Sequence, residues 1–257
     1  MKSFKGIIHV HSNYSYDGKH SLEEITHFAR KRGYSFIGMS EHSDTFNEDI
    51  MSEYVKECQR VSTPDCLIIP GIEFTCENDI HIIGLGVQQY TNIKDPLKVA
   101  EFVRQQGGIS IIAHPSRYNY QIPLDLACAV DGIEVWNAAY DGRFVPNDKS
   151  LNLIKEIRKG NGSILVFGGQ ELHRISDCWN IETTAFCNKL CKDAIIYSFK
   201  QGDFTISNPY FKLDSLNESG WLKMIQIRTA RKMYYIAKLI RDYMCANKGI
   251  INTARKV

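Results

Sequence analysis

Short apolar, β-branched runs alternate with longer stretches of helical periodicity along most of this chain. The first run is Gly6-Ile7-Ile8-His9-Val10-His11. A helix is predicted over Ser21 to Arg32, where Leu22, Ile25, Phe28 and Ala29 recur at helical spacing. Ser21 suits its N-cap, Glu24 completes a capping box, and Gly33 ends it. Tyr34 to Met39 is the second run, followed by a helix over Glu48 to Val61. Runs at Cys66 to Ile72 and His81 to Leu85 come next, then a helix over Pro96 to Gln106. Gly108 to Ala113, Gly132 to Trp136 and Ser163 to Phe167 complete the series, with a helix at Leu151 to Lys159. Strands alternating with helices predict parallel pairing through right-handed crossovers. About seven such units in about 200 residues fit a closed or nearly closed α/β barrel better than an open sheet.

The pattern changes near the end. Glu218 to Val257 carries nine Lys or Arg against two acids, a local +7 that leaves −5 for the other 217 residues of a chain with net charge +2. Trp221, Met224, Ile225, Tyr235, Ile236, Leu239, Ile240, Tyr243 and Met244 fall near helical spacing, so a basic amphipathic helix or helix pair is predicted. Either it closes the barrel with its charges solvated, or it makes peripheral contact with anionic lipid or a phosphate-rich partner. The expected division is a barrel over 1–213 and a basic tail over 214–257.

Composition narrows the class only a little. With 257 residues, 44% hydrophobic and 23% charged, the chain reads as an ordinary globular protein. A net charge of +2 does not by itself imply nucleic acid. Ile7-Ile8 is no signal-peptide core, and no run approaches the roughly 20 apolar residues of a spanning helix. Eight cysteines without a CxxC pair suit free thiols in a reducing cytoplasm. Cys178, Cys187 and Cys191 lack the partner pair expected of a small zinc site.

The histidines carry the chemistry. Of eight, His9, His11, His42, His81, His114 and His173 sit within or just beyond strand-like runs. His9 and His11, two apart on one strand, would face the same side. Glu73, Asp17 and Glu171 accompany them. Imidazoles with a few carboxylates suit zinc, manganese or iron better than calcium or magnesium alone, and Glu73 would be able to bridge two ions. His20 and His27 read as structural. Arg117, three residues after His114, is the candidate cation for holding an anionic substrate, with Lys19, Arg143 and Arg174 weaker ones. Glu134 suits either a hydrogen bond to a ligand histidine or a core salt bridge, and Trp136 and Tyr118 either a leaving-group pocket or packing.

The motifs resemble those of the PHP (polymerase and histidinol phosphatase) superfamily. His9-Val10-His11-Ser12 with Ser15-Tyr16-Asp17-Gly18 is similar to its opening motif, and Ser40-Glu41-His42 to its second. Gly71-Ile72-Glu73, His81-Ile82-Ile83-Gly84, Ile112-Ala113-His114-Pro115 and Gly132 to Asn137 follow in order, so the resemblance covers residues 6 to about 175. Two positions depart from the pattern: Glu171 in Gly169-Gln170-Glu171-Leu172-His173, and Glu41, each stand where Asp is usual.

The resemblance implies a distorted (β/α)7 TIM-like barrel with two or three divalent metal ions at its C-terminal mouth. By similarity one ion would take His9, His11, Glu73 and Glu171. A second would share Glu73 with His81 and His114, and a third would use Asp17, His42 and His173. The catalytic roles would fall to His9, His11, Glu73, His114 and His173, with substrate held by Arg117, Lys19 and Arg174. The implied reaction is hydrolysis of a small phosphomonoester by a metal-bound hydroxide at a di- or trinuclear centre. A nucleic-acid phosphodiesterase or 3′ exonuclease is the alternative, disfavoured by the acidic core and the lack of a basic, aromatic-studded groove. From another class, a non-catalytic metal-stabilised binding module is weakened by the near-complete ligand set.

Overall fold

The computed structural model describes residues 1–160, 164–216 and 220–254, with side chains omitted for Trp221 and beyond Tyr243. Ser163, Glu218, and the side chains of Trp221 and Met244 therefore lie outside the described residues. The chain forms two compact units, 1–218 and 219–257.

The first unit follows the apolar runs closely. Its elements are β1 (Lys2–Val10), α1 (Leu22–Lys31), β2 (Phe36–Met39), β3 (Glu41–His42), α2 (Glu48–Val61), β4 (Leu67–Ile69) and β5 (Gly71–Thr75). Then come β6 (His81–Leu85), α3 (Pro96–Gln105), β7 (Ile109–Ile112), α4 (Leu124–Ala129), β8 (Gly132–Asn137), α5 (Asp148–Gly160) and β9 (Leu165–Gly169). Ser21 caps α1 and completes the capping box with Glu24. Three strands that the apolar runs do not predict follow: β10 (Glu182–Cys187), β11 (Phe204–Ser207) and β12 (Lys212–Asp214), with α6 (Lys192–Gln201) after β10.

The strands form two six-stranded mixed sheets, ordered β12-β11-β10-β1-β2-β4 and β3-β5-β6-β7-β8-β9. Only Ser40 separates β2 from β3, and only Pro70 separates β4 from β5, so two chain paths run from one sheet into the other. The sheets also meet at β1: Gln170 N–H donates to Ile8 O at 3.0 Å, and Leu172 N–H to His9 O at 3.1 Å. Uniform parallel pairing needs correction. β5–β6 and β6–β7 are antiparallel, as are the pairs among β1, β10, β11 and β12. The β5–β6 link, Cys76 to Ile80, is far shorter than a parallel crossover requires.

Aromatic packing joins the two sheets. Phe199 of α6 meets Phe36 of β2 and Phe167 of β9 edge-on, each at 5.9 Å between centroids, while Phe167 stacks on Phe204 of β11 at 4.7 Å. Such contacts contribute about 0.5–1.5 kcal/mol each beyond their area burial. They stiffen the frame that carries β1 and β9. The second unit is one helix, α7 (Trp221–Ala254).

Candidate metal centre

Apart from Glu73 in mid-strand and Asp17 in the loop after β1, the sequence-predicted ligand positions sit at or near strand ends. His42 ends β3, Glu73 lies within β5 and His81 begins β6; His114 follows β7, and Glu171 and His173 follow β9. The register between β1 and β2 skips His9, since Ile8 faces Gly38 and Val10 faces Met39. His9 there takes φ 64°, the conformation of a bulge that re-aims a side chain. His114 (φ 29°) and Glu171 (φ 52°) share this left-handed backbone. Each such residue costs on the order of 1–3 kcal/mol, a strain found chiefly at functional sites.

The side chains converge in two groups. In one, ligand atoms of His9, Glu73, His114 and Glu171 lie within 4.8 Å of one another; in the other, those of His11, Asp17, His42 and His173 do. Glu73 stands between them. Its Oε1 is 2.8 Å from His81 Nδ1 and 2.9 Å from His114 Nε2. Its Oε2 is 3.1 Å from His42 Nδ1 and 3.8 Å from His11 Nε2. This grouping differs from the allocation the resemblance implies. His11 stacks on His173 at 4.3 Å and joins the Asp17 group, while His114 joins His9 and Glu171. His81 reaches the first group through Glu73 and through an edge-on ring contact with His114 at 5.1 Å.

The donor set fits divalent cations. His9 Nε2, His11 Nε2, His81 Nε2, His173 Nε2 and Asp17 Oδ1 are buried without a hydrogen-bond partner of good geometry. Each unsatisfied buried group costs about 1–3 kcal/mol, so five converging on one region suit metal ligation better than a packed core. Mixed imidazole and carboxylate donors suit zinc, manganese or iron.

Charge is organised around the same atoms. Burial alone would push the Glu73 carboxyl up, but His9 and hydrogen bonds from His114, His42 and His81 hold it well below the carboxylate range. Burial pushes His11 well below the usual imidazole value. His9, equally buried, is instead raised by Glu171, Glu134 and Glu73 around it.

Outer partners fix the ligands. Glu134 Oε1 is 2.7 Å from His9 Nδ1, and its Oε2 accepts from His114 N–H at 2.8 Å and Asn137 Nδ2 at 3.0 Å. Asn137 also donates to Glu171 Oε2 at 3.0 Å, which ties the Glu that replaces Asp into the network. Glu171 Oε2 still comes within 3.1 Å of His9 Nε2. A Cβ on Gly169 would meet Glu134 Oε1 at 1.8 Å, so only glycine admits this carboxylate. The other departure, Glu41, anchors the Asp17 loop. It accepts from Ser12 N–H and from the Ser12 and Ser15 hydroxyls, both at 2.6 Å, and burial pushes its carboxyl up to about 7.

A cavity of about 520 Å³ opens onto the cluster, lined also by Tyr16, Asp44, Thr75, Asp79, Arg117 and Tyr140. Arg117 is held in a bidentate pair by Asp79, at 2.9 Å to each oxygen. Tyr16 stacks on His42 at 4.9 Å, and Tyr140 lies 4.5 Å from His114. Lys19 and Arg174 are exposed and do not line this cavity. Lys19 meets the site only through its backbone N–H, which donates to His173 O. Arg143 stacks on Trp179 at 3.7 Å, away from the cluster. Trp136 and Tyr118 are packed, with Trp136 Nε1 donating to Gly142 O and the Tyr118 hydroxyl to Ala113 O. Sequence reasoning missed Asn137, Asp79, Tyr16 and Tyr140 as site residues. Tyr16 and Asn137 stand inside quoted motifs, and Tyr140 and Asp79 lie close to them in sequence, but nothing in the pattern gives their direction.

The sequence profile of the PHP domain matches residues 8–144, more than half of the chain. The chain belongs to the PHP family. PHP proteins are in general metal-dependent phosphoesterases, and the buried His/Glu cluster of this one is able to hold metals. No curated protein matches it in sequence. Its PHP fold is shared with solved structures of low identity. One is a two-domain protein from Bacteroides vulgatus ATCC 8482 containing a predicted PHP-like metal-dependent phosphoesterase (16% identity, TM-score 0.58). That match covers 80% of this chain and 65% of the Bacteroides chain, just under two thirds of it. The lesion-specific endonuclease PfuEndoQ from Pyrococcus furiosus is 14% identical with TM-score 0.54, over 80% of this chain and 58% of its own. PsfC from Pseudomonas syringae PB-5123 is 14% identical with TM-score 0.53, over 77% and 88%.

Proposed function

We propose that this PHP protein hydrolyses a small phosphomonoester, using two or three divalent ions of zinc, manganese or iron. The nine residues His9, His11, Asp17, His42, Glu73, His81, His114, Glu171 and His173 would hold them. The carrying observation is the pair of four-residue ligand groups meeting at Glu73 on the floor of a cavity of about 520 Å³, a volume suited to a small molecule. The two linked sheets are read as a distorted (β/α)7 TIM-like barrel, which the backbone bonds between β1 and the segment after β9 support. The free cysteines suit a cytoplasmic setting.

Bound cations would supply Lewis acidity toward phosphate oxygens and a nucleophilic water near neutral pH. The protein's own part is positioning. Glu134 keeps a proton on His9 Nδ1 and so leaves Nε2 as the donor nitrogen. Arg117, preset by Asp79 at the cavity wall, offers a planar fork to the phosphate. Tyr16 and Tyr140 line the cavity, where their rings would offer an apolar surface to the leaving group. A nucleic-acid substrate is the second reading, favoured by the fold shared with PfuEndoQ. Against it, Arg117 is the one Lys or Arg among the described residues that line the cavity, and a polyanion is ordinarily held by several.

Metal analysis of the purified protein, then turnover of p-nitrophenyl phosphate, sugar phosphates, nucleotides and single-stranded DNA under each metal, tests this. Release of phosphate from the small esters with little DNA cleavage is expected. Preferential DNA cleavage would promote the second reading, and metal binding without turnover of any of them would make the protein a metal-stabilised binding module.

A further inference from the structure

Outside the metal centre, the strongest unassigned feature is α7 considered by itself. Leu222, Ile225, Met233, Ile236, Leu239 and Ile240 are 49–69% exposed, although each is a large apolar side chain. At 100° per residue they fall within an arc of about 120° along the helix. Lys223, Arg228, Arg231, Lys238 and Arg241 lie outside that arc, and Lys232 alone of the six cations lies within it. From Gly220 to Tyr243 six basic residues stand against one acid, Asp242, which pairs with Arg241 at 2.8 Å. Tyr235 and Tyr243, 49% and 71% exposed, add rings with a polar tip. No helix among the described residues is long and apolar enough to cross a membrane.

We propose that α7 is a membrane-surface helix that lies in the headgroup region of an anionic bilayer. Exposed apolar side chains in one broad stripe, with cations beyond its edges, are what a helix lying in the interface presents. The stripe would enter the boundary between headgroups and acyl chains, and the flanking cations would meet lipid phosphates. A second copy of the chain is a poorer occupant. Two such helices would bring like charges together with only Asp242 of each to answer them, and an arc of about 120° is broader than a two-stranded seam. The phosphoester reading plays no part in this inference.

Co-sedimentation of the full chain with vesicles tests it. Vesicles of equal parts phosphatidylcholine and phosphatidylglycerol should bind the protein at least about tenfold more tightly than phosphatidylcholine alone, and added salt should weaken the binding. Ile236→Ser with Ile240→Ser should abolish sedimentation, and Lys223→Glu with Lys238→Glu should abolish the lipid preference. Circular dichroism and the thermal midpoint of each variant confirm that the first unit is intact. Equal partition onto neutral vesicles, or a supernatant protein with both, would overturn the proposal. So would a dimer by light scattering that Ile236→Ser with Ile240→Ser converts to monomer without any change in vesicle binding.

Discussion

Glu134 accepts the Nδ1 proton of His9 at 2.7 Å, inside a site where both side chains are fully buried. Burial would raise this carboxyl, yet His9 and the surrounding hydrogen bonds lower it below its usual value. Glu134 is therefore an anion that orients a ligand ring, and through its second oxygen it also fixes the His114 backbone. Glu134→Gln is expected to weaken metal affinity about 10–100-fold with the secondary structure unchanged. Titration against a chelating dye measures this, and affinity equal to wild type would remove Glu134 from the metal network.

Gly169→Ala should act through the same link. The added methyl would stand 1.8 Å from Glu134 Oε1 and 3.1 Å from His9 Cβ, so the carboxylate must leave its place. The metal affinity of this variant should fall at least as far as that of Glu134→Gln. The double variant should be little worse than either single one, because both remove one interaction. Additive losses would show that Gly169 acts elsewhere.

Arg117 supplies a prediction about substrate rather than metal. Arg117→Ala should lower kcat/KM on a phosphomonoester about 10–100-fold, the loss of a charge-assisted hydrogen bond pair, with metal content unchanged. Arg117→Lys should recover little, since an ammonium lacks the planar fork. Full recovery by lysine would reduce Arg117 to a point charge.

The cysteines give a test independent of metal. Burial pushes the Cys66 and Cys178 thiols up to about 11 and Cys76 up to about 12, and raises buried Cys58 well above its ordinary value. Each raised group stays a neutral thiol through neutral pH and becomes nucleophilic only as pH climbs toward its raised value. Cys128 is exposed. Alkylation at pH 8 followed by peptide mass spectrometry should label Cys128 first and leave those four unmodified until the chain is denatured. Early labelling of Cys66 or Cys76 would contradict the packing around β4 and β5.

The fold and site were legible to different depths. Continuous apolar runs such as Leu67 to Ile69 announce buried strands, and the helix read over Glu48 to Val61 has those bounds in the structure. β10 was not legible because its buried positions are Thr183, Ala185 and Cys187 while Phe186 is only half-buried, so no apolar run or alternation marks it. Strand direction failed at β5–β6, where a run-and-gap pattern does not reveal that the gap is too short for a crossover. At the site, histidine spacing and motif order located all nine convergent positions. Their division into groups was hidden, because the bulge at His9 turns its ring toward Glu171 while His11, beyond the end of β1, turns toward Asp17. The Asn137 bridge between Glu134 and Glu171 depends on three-dimensional approach and leaves no trace in spacing.

The most direct test of the central claim is metal content and phosphomonoester turnover of Glu73→Ala beside the wild type, after loading each with zinc, manganese or iron. Glu73 touches His81, His114 and His42 from its two oxygens and stands between both ligand groups. The expected result is two or three ions per wild-type chain, loss of at least one ion in the variant, and turnover reduced by several orders of magnitude. A Glu73→Ala protein that keeps both its full metal content and its turnover would contradict a phosphoesterase centre built around this carboxylate.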